Sequence, residues 1–167
     1  MTDVVLKDAS IIIDLIKVNL LEKTLTLPYN FYTTDFIVSE INYKKQNVLL
    51  QAYIKKGSIK IIEAAIEDLE KIAKIFNTIG KLSFADSSII YFAEKLTAII
   101  LTGDYRISKE AENRNIKAHG ILWIFKKLLE KNIIIKKIAT RKLEKLIAIN
   151  TYLPKIECEK LINEWKG

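Results

Sequence analysis

The chain has 167 residues, half of them hydrophobic and 28% charged, which fits one globular domain and excludes wholesale disorder. One cysteine (Cys158) and one histidine (His119) exclude an internal disulfide framework, a Cys-based zinc site and His-rich metal centres, and argue against a Ser-His-Asp triad. The formal net charge is +7, and between Gly120 and Lys145 the bases Lys126, Lys127, Lys131, Lys136, Lys137, Arg141, Lys142 and Lys145 face only Glu130 and Glu144; such a segment either attracts polyanions or simply solvates helix faces.

Met1-Thr2-Asp3 carries no positive n-region, and Asp14 and Lys17 interrupt the apolar stretch at Ile11–Ile13, so no secretion signal is expected. No run of 18 uncharged apolar residues exists, so a cytoplasmic chain without a membrane span is expected.

Val4-Val5-Leu6 reads as a short strand ending at Asp8. From Ser10 the apolar positions Ile12, Leu15, Ile16 and Leu20 recur at helical spacing. Leu27-Pro28 is a break, and Asn30–Thr33 is a second strand. Thr34 or Asp35 caps a helix running through Tyr43 and onward, to an end at Lys55-Lys56-Gly57. Ser58–Ile62 is a third strand, Glu63–Ile79 a helix stopped by Gly80, and Ser83 to about Lys95 the next helix. Ala98–Leu101 is an uninterrupted apolar run suited to the middle of a parallel sheet. A helix over Ile107–Arg114, a strand at Ile116–Ala118 and a helix from Gly120 to about Lys131 follow; Lys136–Ile149 and Pro154–Trp165 close the chain as helices. Strands alternating with helices imply a parallel sheet flanked by helices, with a helical extension over the last 35 or so residues.

Four carboxylates stand out. Asp8 ends the first strand and Asp104 lies just past the apolar run, at strand carboxyl ends, where open α/β sheets bind ligands. Glu40 has Phe36, Ile37, Ile41 and Tyr43 around it, and Asp86 has Ile89, Ile90 and Ala93 at offsets 3, 4 and 7. Both therefore point toward apolar stripes, where a carboxylate needs a partner or a metal. Each also has a plainer reading: Asp86 as the capping-box partner of Ser83, Glu40 as the ion-pair partner of Lys44, Asp8 as a helix N-terminal acid, and Asp104 as a turn residue. Converging on one sheet edge, the four would repel one another. A hard divalent cation with oxygen ligands resolves that repulsion, and beside a basic surface it is the electrostatic description of a nuclease.

Val4–Ile13, with Asp8, resembles the opening strand and first acidic motif of the PIN-domain nucleases. Leu82-Ser83-Phe84-Ala85-Asp86-Ser87 is similar to their third motif and Ile99-Ile100-Leu101-Thr102-Gly103-Asp104 to their fourth, with Glu40 where the second acid is expected. Ala118–Trp123 resembles the segment after the last strand in a prokaryotic branch near the VapC-like toxin ribonucleases. The match covers about residues 3–131. It implies a PIN-like three-layer α/β/α sandwich with a central parallel sheet over residues 1–131, plus a C-terminal helical extension, 132–167, packed on the same domain. It also implies an endoribonuclease dependent on Mg²⁺ or Mn²⁺. Asp8, Glu40, Asp86 and Asp104 would be both the catalytic and the metal-binding quartet, and Ser10 and Thr102 would support them. The implied partners are RNA, a small antitoxin and a second copy of the chain, with no membrane. The rival reading is an inactive PIN-fold module that binds RNA or protein.

Asp14 lies off the apolar stripe and is expected on the surface; Trp123 and Trp165 are expected to pack, His119 to have a structural or turn role, Cys158 to be a small apolar filler or a surface thiol, and Arg106 to pair with Glu110 or touch a phosphate. A haloacid-dehalogenase-type phosphatase needs Asp-x-Asp where this chain has Asp8-Ala9-Ser10. A phospho-receiver needs an acceptor Asp after the third strand, where Ile62-Glu63-Ala64 stands.

Overall fold

Strand-to-helix connections recur along the chain and close one five-stranded, all-parallel sheet in the order β3-β2-β1-β4-β5. The computed structural model describes residues 3–167, with the backbone alone for Val4–Leu6; Met1 and Thr2, the start of the expected leaderless N-terminus, lie outside the described residues. The strands are β1 (Val4–Lys7), β2 (Asn30–Thr34), β3 (Lys60–Ile62), β4 (Ile99–Leu101) and β5 (Ala118–His119). The helices are α1 (Ala9–Lys17), α2 (Leu21–Thr24), α3 (Asp35–Glu40), α4 (Lys44–Lys55), α5 (Ile66–Ile79), α6 (Phe84–Leu96), α7 (Tyr105–Asn113), α8 (Ile121–Glu130), α9 (Lys136–Ile149) and α10 (Lys155–Lys166).

The order runs outward from β1 in both directions. Right-handed crossovers therefore put the helices between β1 and β3 and those between β3 and β5 on opposite faces of the sheet. On one side α1 packs on α2, α2 on α8, α8 on α9 and α9 on α10; on the other, α5 packs on α6 and α6 on α7. The core is a continuous apolar cluster. Ile12, Leu15, Ile89, Ile90, Ile100 and Leu101 are buried around the sheet, and Phe125, Leu128, Ala139, Leu143, Leu146, Cys158 and Trp165 carry the same cluster through the C-terminal helices. Cys158 and Trp165 thus pack as expected, and His119 stacks on Trp123 with ring centroids 5.0 Å apart.

Several boundaries differ from the sequence expectation. The central strand is β1, with β4 beside it. The helix expected from Thr34 through Tyr43 breaks after Glu40. Ile41 leaves helical geometry to bury its side chain, and the Asn47 side-chain amide takes over its carbonyl (3.0 Å). Glu40 therefore ends a helix, and no Glu40–Lys44 ion pair forms. The third strand is shortened to Lys60–Ile62, and α5 starts at Ile66. Gly80 stops α5 in the left-handed region at φ +63°, as its position implies.

One buried group had no sequence signal. Lys7 is 0% exposed, its Nζ sits 4.0 Å from the Phe31 ring centroid, and it has no hydrogen-bond partner among the described residues. Burial pushes its ammonium down to about 7.

Candidate active site

The sheet order reverses between β1 and β4, and the residues just past these two strands share one edge. Asp8 follows β1 and caps α1. Its Oδ1 accepts the Ile11 N–H (3.0 Å) and the Ser10 hydroxyl (2.8 Å), and its Oδ2 accepts the Thr102 hydroxyl. Thr102, past β4, accepts the Asp104 N–H (3.0 Å), and Ser10 Oγ accepts the Gly103 N–H (3.1 Å). Two hydroxyls thus join the loop after β1 to the loop after β4. The backbone adds a bond from Asp8 N–H to Leu101 O (3.1 Å). Gly103 admits this approach, because a Cβ there would stand 3.1 Å from Ser10 Oγ.

Asp8 is 3% exposed. Burial lifts its carboxyl to about 6, against the pull of its three hydrogen bonds, and the Asp86 charge lifts it further. It makes no ion pair among the described residues. Once ionised it is a buried carboxylate without an ion-pair partner among the described residues, which costs stability unless a cation arrives.

The next two acids meet at the start of α6, Asp86 in its first turn and Glu40 at the end of α3. Ser83 and Asp86 form a reciprocal capping box. Ser83 Oγ accepts the Asp86 N–H, Asp86 Oδ2 accepts the Ser83 N–H (both 3.0 Å), and Ser83 Oγ also donates to Glu40 Oε1 (3.3 Å). The plainer reading of Asp86 is therefore realised, and it serves the site, because capping aims one carboxylate oxygen at the backbone and leaves the other. Partial burial and then the Asp86 charge raise the Glu40 carboxyl. Asp86 is thus the acid whose charge reaches both Asp8 and Glu40.

Asp104 caps α7 and is held by Arg106. Its Oδ1 accepts the Arg106 N–H (2.7 Å) and Nε–H (3.1 Å), while Arg106 Nη1 donates to Lys81 O (2.9 Å). The Arg106 hydrogen bond is the main cause holding the Asp104 carboxyl below its ordinary value. Arg106 thus pairs with Asp104 rather than with Glu110, which Arg114 engages instead.

The expectation that Glu40 and Asp86 lie in apolar surroundings does not hold: Glu40 is exposed and Asp86 half-buried. Among the described residues, no three His, Cys, Asp or Glu side chains stand together as an ion cage. The donor chemistry nevertheless fits a small, hard divalent ion, which takes one or two carboxylates and keeps several waters. Asp8, buried with no ion-pair partner among the described residues and near enough to Asp86 to feel its charge, is the strongest donor. Asp104 already has its cation in Arg106.

Asp14, expected on the surface from its place off the apolar stripe, is instead buried. Asp14 is 8% exposed, and its Oδ2 accepts the side-chain N–H of Asn150 (2.7 Å), in the turn after α9. The contact spans 136 residues, so no local pattern announces it. It closes a cleft of about 530 Å³ lined by Ser10, Asp14, Asp104, Tyr105, Arg106 and Tyr152, among others. Ser83, which links Glu40 to Asp86, was legible only as a cap.

A parallel sheet of this order, with acids gathered where its direction reverses, is the architecture of a PIN domain. The family model described as DUF3368, a PIN domain, matches residues 4–167, and the chain belongs to that family. Endoribonuclease Nob1 of Pyrococcus abyssi (strain GE5 / Orsay) is similar, 28% identical over 102 residues, which cover 59% of this chain and 63% of that protein. The match therefore spans under two thirds of the curated relative. The crystal structure of PAE2754 from Pyrobaculum aerophilum superposes with a TM-score of 0.54 over 76% of this chain and 98% of that one, at 18% identity, a likeness of fold alone. Among the described residues no helix is long and apolar enough to cross a membrane.

Proposed function

We propose that the chain is a metal-dependent endoribonuclease that hydrolyses RNA phosphodiester bonds at the edge formed by Asp8, Glu40, Asp86 and Asp104. The observation that carries this reading is Asp8, buried at the sheet edge with no ion-pair partner among the described residues and near enough to Asp86 to feel its charge. Mg²⁺ or Mn²⁺ bound there would lower the pKa of a coordinated water and neutralise charge on the phosphate.

In this reading Asp8 and Asp86 would hold the ion directly, and Glu40 and Asp104 would complete the site directly or through water. Ser10 and Thr102 lock the Asp8 carboxylate in one orientation by their hydroxyl donors. Glu40, its carboxyl raised by partial burial and by Asp86, is suited to take a proton from the attacking water. Arg106 keeps Asp104 ionised. The water oxygen bonds to phosphorus, the ester bond to one ribose oxygen breaks, and that oxygen leaves with a proton.

Residues 1–131 would form the nuclease domain and 132–167 a helical extension packed on it, acting in the cytoplasm. The Ala118–Trp123 resemblance extends the reading to the toxin of a toxin–antitoxin pair, held by a small antitoxin and able to form a homodimer. Expression alone would then arrest growth and the adjacent gene product would relieve it; unaffected growth would remove this part.

The second reading, an inactive module, is favoured by the engagement of Asp104 with Arg106 and by the open spacing of the acids. A thermal titration separates the two. Binding to the folded state raises Tm with ligand concentration. The nuclease reading expects Mn²⁺ to stabilise the parent chain and not the Asp8→Asn variant; equal curves for both would favour the module.

A further inference from the structure

The cleft beside the acids is shared between two parts of the chain. Ser10, Gly103, Asp104 and Arg106 belong to the candidate active site, while Asn150 and Tyr152 come from the turn between α9 and α10. The Asn150–Asp14 bond docks that turn against α1. Two large aromatic side chains on this cleft are left in water: Tyr105 is 77% exposed and Tyr152 92% exposed. Neither ring packs against another aromatic residue among the described residues.

Behind the turn, α9 carries the charge. Arg141, Lys142 and Lys145 share one side of the helix at offsets 1, 3 and 4. None of them, nor Lys23 on α2, forms an ion pair among the described residues. Lys142 is close enough to Lys145, Arg141 and Lys23 that their repulsion, after its own partial burial, lowers its ammonium. Cations held together without acids cost stability, and a polyanion recovers that cost. From Lys142 to Asn150 the chain advances about 12 Å along the helix axis, so the basic residues stand within a few nucleotides' reach of the cleft that Asn150 lines.

We propose that the α9–α10 hairpin, with the start of α7 and Lys23 of α2, forms a single-stranded RNA subsite beside the acids: bases stack on Tyr105 and Tyr152, and the backbone continues over Lys23, Arg141, Lys142 and Lys145. Exposed aromatic faces next to a cationic track take unpaired bases of any sequence, because every base has a π-face. A duplex keeps its faces stacked inside and cannot offer them. The inference rests on the nuclease reading for the identity of the polyanion, but its test does not need cleavage.

The experiment is fluorescence anisotropy of a labelled 12-nucleotide single-stranded RNA, and of its duplex, in EDTA. The variants are Tyr105→Ala, Tyr152→Ala and Lys142→Ala/Lys145→Ala, each checked for unchanged Tm. The parent is expected to prefer the single strand. Each tyrosine variant is expected to lose roughly 5- to 100-fold in affinity for it. The double lysine variant is expected to weaken both RNAs and reduce the salt slope by about two. Tyrosine variants that bind like the parent, a duplex bound as tightly as the single strand, or no RNA binding by the parent would each overturn the subsite. Tight tyrosine-dependent binding with no cleavage in Mn²⁺ would leave the subsite standing and remove the nuclease reading. Cleavage with KM unchanged in both tyrosine variants would do the reverse.

Discussion

Asp8 links stability to chemistry most closely. Its carboxyl titrates at about 6 in the fold against an ordinary 3.8, so the native state binds more protons than the unfolded one between those values. The sign follows: this contribution is full below about pH 4 and is lost as pH rises through 6. Metal-free protein should therefore lose on the order of 2–3 kcal/mol from this group between pH 4 and 7. Asp8→Asn, which can still cap α1, should flatten the loss while abolishing cleavage. Tm in EDTA across that range checks it, and a parent curve that rises from pH 4 to 7 while Asp8→Asn stays flat would contradict it. Arg106→Ala should let the Asp104 carboxyl return upward and release Lys81 O, lowering cleavage more than stability, since Arg106 is exposed. Kinetics beside a melting curve separate the two effects. The places of Asp8, Asp86 and Asp104 were legible because strand ends and capping positions are local patterns; Glu40, read from its apolar neighbours, stands exposed at the end of α3. Lys7 and Asp14 were not legible, since their burial is set by Phe31 and Asn150, far away in the chain.

Among the elements, the two loops at the sheet reversal hold each other through Ser10, Thr102 and Gly103. Gly103→Ala would push a Cβ to 3.1 Å from Ser10 Oγ, which displaces the hydroxyl that orients Asp8. Cleavage should fall by at least several-fold with Tm within a few degrees of the parent; unchanged kinetics would mean that Ser10 does not position Asp8. The C-terminal turn depends on one polar contact. Asn150→Ala leaves Asp14 largely buried without its donor, a loss of about 1–3 kcal/mol, and Asp14→Ala in the same chain should recover part of it in a double-mutant cycle. Strand and helix types followed from apolar periodicity along most of the chain. The break after Glu40 did not, because Ile41 leaves the helix to fill a tertiary gap while Asn47 replaces the lost helical bond. Edge strand β3 is three residues, Lys60–Ile62, the length over which it pairs with Tyr32–Thr34 of β2.

Over the whole molecule, the apolar cluster runs from the sheet through α8 into α9 and α10. Leu146 is fully buried within it, and Leu146→Ala should cost about 2–5 kcal/mol. If residues 132–167 are part of one cooperative unit, that cost appears as a single shifted unfolding transition; two separate transitions would mean that the extension folds by itself. The parallel architecture was readable from the alternation of strands and helices. The joining of the C-terminal turn to the acidic edge was not, since it depends on how α9 meets α1 in space.

The most direct test of the central claim is cleavage of a mixed RNA pool by the purified chain in Mn²⁺, in EDTA, and with Asp86→Asn. Cleavage is expected in Mn²⁺ alone, lost with EDTA and reduced on the order of a hundredfold in the variant. No cleavage by a folded chain in any divalent ion, or cleavage that survives Asp86→Asn, would contradict it.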